Sequence, residues 1–322
     1  MESDSSPSNC STKYSLADFK TEALVLVGVN ISTSLLGILG NLLVCLAVFT
    51  TQGLTSSFHY FISSLALADL AIALVDQPLL VALLISRIES KCLLRVDFAF
   101  RLVGNFACAV ALLTLALIAM DRCLFVANKF NYKNTMTRGK KIVLVIVWVL
   151  ACVYSALRLT VDKKITSYLT TAVFGFCYVE MIVCYVVVYY QVFKQRKILA
   201  DSRHRNTRNN TTENLQDQTE SNSTERRFAR TIVMVLVVFT AGWSFLFYLR
   251  LTQPEVDYGI LYNTARTVAL SASAINPLLY CFNNREYQRA FKTILMKCWV
   301  GDSQKRKRKQ YDRIKWQQRP MK

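Results

Sequence analysis

The sequence predicts an all-α membrane protein: a seven-transmembrane helix bundle followed by a short cytoplasmic amphipathic helix. Three observations carry that reading. First, the 322 residues are 53% hydrophobic and only 19% charged, too apolar for an ordinary soluble domain of this size. Second, the apolar residues fall in seven long blocks, at roughly 24–49, 58–85, 98–126, 141–161, 166–193, 230–252 and 259–282. About 20 apolar residues cross a hydrocarbon core of ~30 Å, and in lipid the backbone must satisfy its own hydrogen bonds, so each block is a helix. Third, 28 of the 39 Lys and Arg lie in 122–141, in 194–230 and from 285 onward. If seven spans alternate, those stretches share one side, which the positive-inside rule makes cytoplasmic. Residues 1–23 are then an extracellular N-terminus, 24–298 the bundle, and 299–322 a basic cytoplasmic tail.

Each element has its own signature. The first block is about 26 residues, longer than the apolar part of a cleavable signal, and reads as an uncleaved anchor; Gly40-Asn41 sits within it. The second carries a lone carboxylate, Asp69, near its centre, and Asp76-Gln77-Pro78 nearer the outside, where Pro78 should kink the helix. The third is the rod about which the others gather. Its two arginines, Arg101 and Arg122, stand 21 residues apart, about 31 Å at ~1.5 Å per residue, so each reaches an opposite water boundary. The fourth centres on Trp148, and the outer connection after it, Asp162-Lys163-Lys164, is so short that spans four and five must be antiparallel neighbours.

Residues of about 198–225 break the pattern with Asn, Thr, Ser, Gln, Glu and Arg, a composition that orders poorly and reads as a disordered cytoplasmic loop. The sixth span opens at Glu225-Arg226-Arg227 and holds Phe239 and Trp243; the seventh ends in Asn276-Pro277-Leu278-Leu279-Tyr280. From 284 to 297, Tyr287, Phe291, Ile294 and Leu295 alternate with Arg285, Arg289 and Lys292, as in a helix lying on the inner leaflet.

Composition also excludes. The formal charge of +18 is a matter of topology, not a nucleic-acid surface, and the polybasic run 305–309 beside a bilayer attracts anionic lipid. Six of the ten cysteines (Cys45, Cys108, Cys152, Cys177, Cys184 and Cys281) lie in apolar blocks as small hydrophobes. Cys10 and Cys92 face the oxidising side, which leaves both a Cys10–Cys92 bridge and two free thiols open. With two histidines and no thiol cluster, no metal is expected. No nucleophile–base pair converges in a water-facing stretch, so the chain does not read as an enzyme. A glycosylation sequon starts at Asn9.

Taken in order, the marked residues resemble those of rhodopsin-like (class A) G-protein-coupled receptors. They are Asn41, Leu65 with Asp69, Asp121-Arg122-Cys123, Trp148, Tyr185, Glu225, Phe239, Trp243, and Asn276-Pro277 with Tyr280. The resemblance implies a plasma-membrane receptor that binds an extracellular ligand and activates heterotrimeric G proteins. Arg122 would pair with Asp121 and reach Glu225, holding span six inward, and activation would swing span six outward. Tyr185 and Tyr280 would turn to support the open state. Phe239 and Trp243 would couple the outer cavity to that latch.

Asp69 with Ser273 and Asn276 resembles the family's sodium pocket, though Ala111 stands where a hydroxyl usually completes it, which weakens it as a sodium site. Cys298 resembles a palmitoylation site. Receptor kinases and arrestin are implied partners, with phosphorylatable hydroxyls concentrated in the 198–225 loop. Three departures, Asp97 where a bridging cysteine is usual, Cys177 in place of a span-five proline and the very short second outer loop, resemble the melanocortin, cannabinoid and lysophospholipid branch.

The ligand is narrowed from both directions. Where opsins carry the retinal lysine stands Leu270, so no retinal is expected. Where amine receptors place an aspartate stands Gly104, so no ammonium anchor exists at that position. Arg250 lies seven residues beyond Trp243 and shares its face. With Arg101 and Arg266 it forms a candidate site for a carboxylate or phosphate; alternatively these arginines pair with Asp97, Glu255 and Asp257. A peptide-binding or constitutively active receptor is the second functional reading, and a seven-helix transporter a remote third, disfavoured by the lack of an internal repeat.

Overall fold

The structure is a computed structural model that describes residues 15–52, 54–127, 137–206, 213–252 and 259–297, and leaves aside the side chains of 163–164, 192, 195–206, 213–229 and 232. Its elements are α1 (Lys20–Thr50), α2 (Ser57–Ile88), α3 (Leu94–Ala127), α4 (Arg138–Thr160), α5 (Lys163–Asn206) and α6 (Glu213–Thr252). α7 is built of Ile260–Ser271, a 3-10 turn Ala272–Ala274 and Asn276–Asn283, and α8 covers 285–297. Among the described residues, six helices are long and apolar enough to cross a membrane. The seventh expected span is present as α7 but is broken by its 3-10 turn, just before Pro277, whose missing N–H cannot continue the ladder.

α3 lies at the centre, against α2, α4 and α5, as expected of the rod about which the others gather. α4 is the outermost helix and buries only Val147, Ala151 and Ser155. Side chains such as Leu39 (63% exposed), Val145 (63%) and Phe176 (75%) form an outward apolar belt that water would not tolerate and lipid tails cover. α8 buries Tyr287 and Phe291 against the bundle and leaves Arg285, Arg289 and Lys292 exposed, as its amphipathic pattern predicts.

Two regions differ from expectation. The irregular stretch expected over 198–225 is largely helical, since α5 runs to Asn206 and α6 starts at Glu213. A helix satisfies its backbone internally, so extension beyond the bundle needs no buried face, and Gln195-Arg196-Lys197-Ile198-Leu199-Ala200 are mostly good helix formers.

The kink expected at Pro78 takes the form of a π turn at Ile72–Asp76, where the Gln77 N–H donates to Ile72 O, five residues back. Ser34 of α1 donates through Oγ to the carbonyl of Ala73 (2.7 Å), giving that oxygen a partner. The extra residue in the turn rotates the helix beyond it, so Asp76 and Gln77 both point inward at 0% exposure.

Gly40 marks the closest approach of α1 to α7. A Cβ there would meet the Pro277 ring at 2.8 Å, so the bare glycine is what admits the proline.

Candidate functional site

Three groups of expected residues lie at three depths. At the inner end, Asp121 (4% exposed) and Arg122 (6%) are both buried. Arg122 donates through Nε to Asp121 Oδ2 at 3.1 Å, with Nη2 on the same oxygen. Its guanidinium lies over the rings of Phe58 and Phe125, each centroid 5.2 Å away. The pair therefore sits in an aromatic cradle, where attraction is screened less than at a surface.

Two partners went unforeseen in the sequence. Lys140 donates through Nζ to Asp121 Oδ1 (3.0 Å) and to Ser57 Oγ (2.9 Å), and Ser57 in turn donates to Asp121 Oδ1 at 2.9 Å. Lys140 is placed by the start of α4, where Thr137 caps the helix by accepting from the Lys140 backbone N–H. One carboxylate thus ties α2, α3 and α4 together. The side chain of Glu225 and residues 128–136 lie outside the described residues, so the expected Arg122–Glu225 contact does too.

Below the clasp, Tyr280 and Tyr185 carry buried hydroxyls with no hydrogen-bond partner. The Tyr280 ring packs on Tyr287 at 5.9 Å, and Tyr287 Oη lies 3.1 Å from Nδ1 of the buried His59. His59 Nε2 faces Glu286 at 3.7 Å, joining α2 to α8. Burial holds the Glu286 carboxyl above the usual carboxylate range, an effect that Arg289 partly offsets.

At mid-depth Asn276 donates through Nδ2 to Asp69 Oδ2 at 2.8 Å. Asn41 spans α1 and α7 by donating to Gly37 O (3.0 Å) and Ser273 O (3.4 Å). The Ser273 hydroxyl is spent on Leu270 O (2.7 Å), and the Ser273 carbonyl, which Pro277 has no N–H to reach, is the one that Asn41 fills. Trp148 Nε1 donates to Ser64 Oγ at 3.0 Å, pinning α4 to α2. Among the described residues no group of three or more His, Cys, Asp or Glu is placed to hold a metal ion.

Toward the outside a cavity opens whose empty space, with the open solvent at its mouth included, is ≈ 860 Å³. Arg101, Arg250 and Arg266 all line it with Gly104, as the sequence predicts, and Arg158 of α4 joins them. Trp243 forms part of the wall and stacks on Phe239, with centroids 5.7 Å apart. Arg266 is held between the rings of Tyr262 (4.7 Å) and Phe100 (5.1 Å). Arg250 donates through Nε to Tyr262 Oη at 3.3 Å. Arg158 donates to Thr166 Oγ1 at 2.8 Å, while its buried Nε has no hydrogen-bond partner.

Arg101 follows the alternative reading in part, because its Nε pairs with Asp97 Oδ2 at 2.6 Å; Glu255 and Asp257 lie outside the described residues. Four guanidiniums on one cavity need counter-charge, and those lining residues include a single carboxylate, Asp76.

The family model for 7 transmembrane receptor (rhodopsin family) matches residues 40–167 and 159–280. The chain belongs to the rhodopsin family of seven-transmembrane receptors. The receptor is 24% identical over 294 residues to melanocortin receptor 3 of Mus musculus, covering 84% of this chain and 85% of that one. It is 27% identical over 282 residues to sphingosine 1-phosphate receptor 1 of Danio rerio (80% and 74% covered). The fold matches squid rhodopsin with a TM-score of 0.75 over 87% of each chain, at 18% identity. Its relatives are receptors, not enzymes, and it is a multi-pass membrane protein of the G-protein-coupled class.

In this receptor Asp97 binds two arginines at the position where the family usually has a bridging cysteine: Arg101, and Arg87 of α2 at 3.2 Å. Arg87 also donates to Asn263 Oδ1 of α7 at 3.0 Å, so an ionic tie joins α2, α3 and α7 at the outer rim. Cys92 is disulfide-bonded; Cys10, with Asn9 and Cys298, lies outside the described residues. The seven remaining described cysteines are free.

Proposed function

We propose that the receptor sits in the plasma membrane with its N-terminus outside, binds an anionic small molecule or lipid in the arginine cavity, and activates heterotrimeric G proteins. The observation that carries this reading is the convergence of Arg101, Arg158, Arg250 and Arg266, from α3, α4, α6 and α7, on one cavity walled by Trp243. Guanidinium forks match carboxylate and phosphate oxygens, and an anion among them would relieve their mutual repulsion.

Drawing Arg250 and Arg266 together around an anion would pull the outer ends of α6 and α7 inward. α6 would pivot about the Phe239–Trp243 stack, and its inner end would swing out. Arg122 would then leave Asp121, opening a cleft for a G-protein helix. In that open state the hydroxyls of Tyr185 and Tyr280, which have no hydrogen-bond partner in this one, would turn to find partners. Receptor kinases and arrestin would act afterwards on the hydroxyl-rich inner segment.

The test replaces Arg250 and Arg266 by glutamine in the full chain and screens wild type and variants for second-messenger responses to acidic metabolites and lysolipids. An agonist whose potency falls at least tenfold in both variants, at unchanged surface expression, is the expected result. Agonists indifferent to both arginines refute the anion site, and a peptide among them would favour the alternative reading.

A further inference from the structure

Asp76 is the single carboxylate among the residues that line the outer cavity, and the anion reading gives it no ligand contact. It is fully buried, at 0% exposure, yet neither carboxylate oxygen accepts a hydrogen bond, and no ion pair involves it among the described residues. The π turn aims it inward, and Gly104 makes room for it. A Cβ at position 104 would stand 2.9 Å from Oδ2 and 3.3 Å from Oδ1, so the carboxylate lies against the bare backbone of α3. It thus fills the place where a side chain of residue 104 would begin.

Phe100 and Leu270 share the cavity wall with it and belong to a buried apolar cluster with Ile72, Leu80 and Ala107. Arg266 attracts it through space but is itself held between two rings. A buried acceptor with no donor is destabilising unless something supplies the donor.

We propose that Asp76 is a second subsite of this cavity, one that takes a primary ammonium, so that the ligand is a zwitterion. Its anionic group meets the arginines and its –NH3+ donates to Asp76 Oδ1 and Oδ2. A primary ammonium carries the N–H donors that these two oxygens lack, and a quaternary head carries none. The inference rests on the proposed arginine cavity as the ligand site, but its test is separable from it.

The experiment measures thermal unfolding of the full-length receptor in detergent, at equal ionic strength, with butylammonium, tetramethylammonium or butyrate added. Butylammonium is expected to raise the wild-type midpoint by about 2 °C or more. It should do nothing for Asp76→Asn or Gly104→Ala, and tetramethylammonium nothing for any of them. A butylammonium effect that is absent, or equal in wild type and Asp76→Asn, overturns the proposal. Butyrate tests the parent reading independently: it should protect Asp76→Asn as well as wild type and lose its effect in Arg250→Gln and Arg266→Gln. If butyrate fails while butylammonium succeeds, the arginine reading falls and the Asp76 subsite stands.

Discussion

Replacing Lys140 by methionine separates the stability of the inner clasp from its restraint on signalling. Lys140 keeps its Nζ within 3.0 Å of Asp121 and 2.9 Å of Ser57, and the side chains of Lys140 and Asp121 are 16% and 3% exposed. A hydrogen bond to a charged group at such burial contributes about 1.5–3 kcal/mol, so Lys140→Met should lower the unfolding midpoint by several degrees.

Its effect on signalling has the opposite physical origin. Lys140 and Arg122 share one carboxylate, so their charges stand about 5 Å apart and repel by about 3 kcal/mol at an effective dielectric of about 20, an upper bound. Removing Lys140 ends that repulsion and leaves Asp121 to Arg122 alone, which tightens the clasp. Since about 1.4 kcal/mol is a factor of ten in population, basal guanine-nucleotide exchange in membranes should fall severalfold even though the protein is less stable. Asp121→Asn, which weakens Arg122's hold, should raise it. A Lys140→Met receptor with raised basal exchange would refute this reasoning.

Two further outcomes rest on packing and burial. Gly40→Val places a branched side chain where Pro277 already comes within 2.8 Å of a Cβ, and overpacking of this kind costs about 1–3 kcal/mol; a lowered midpoint and reduced surface expression check it. Glu286 has its folded pKa raised by burial above the ordinary 4.5, so the folded state holds that proton more tightly than the unfolded chain. Its contribution is therefore favourable at low pH and is lost as pH rises from about 4.5 through the folded value. Glu286→Gln should flatten that part of the stability–pH curve and leave neutral-pH stability equal or slightly higher; an unchanged slope excludes the linkage.

The seven spans were legible because hydrocarbon imposes a blunt rule: some twenty apolar residues, helical, with charges at the ends. The rule places Arg101 and Arg122 toward opposite ends of one span, although Arg122 does not reach water as expected but is buried on Asp121, and the structure puts Asn276 on Asp69 and all of Arg101, Gly104, Arg250 and Arg266 on one cavity. What stayed hidden depends on register and on contacts between helices. Asp76 could not be seen to face inward because reading by a 3.6-residue period takes no account of the residue added at the π turn before Pro78. Lys140 looked like one more cytoplasmic cation, since its partner Asp121 lies on α3, across the connection that precedes α4. His59 on Tyr287 is likewise a meeting of two elements 228 residues apart. The lengths of α5 and α6 escaped because polar composition limits burial but not helicity.

The central claim, that Arg122 at the inner end of α3 governs coupling, is tested most directly by nucleotide exchange on heterotrimeric G protein added to membranes holding the full chain. Exchange that rises with receptor density and disappears in Arg122→Gln, at equal surface expression, is the predicted result. Exchange that persists unchanged in Arg122→Gln would contradict it.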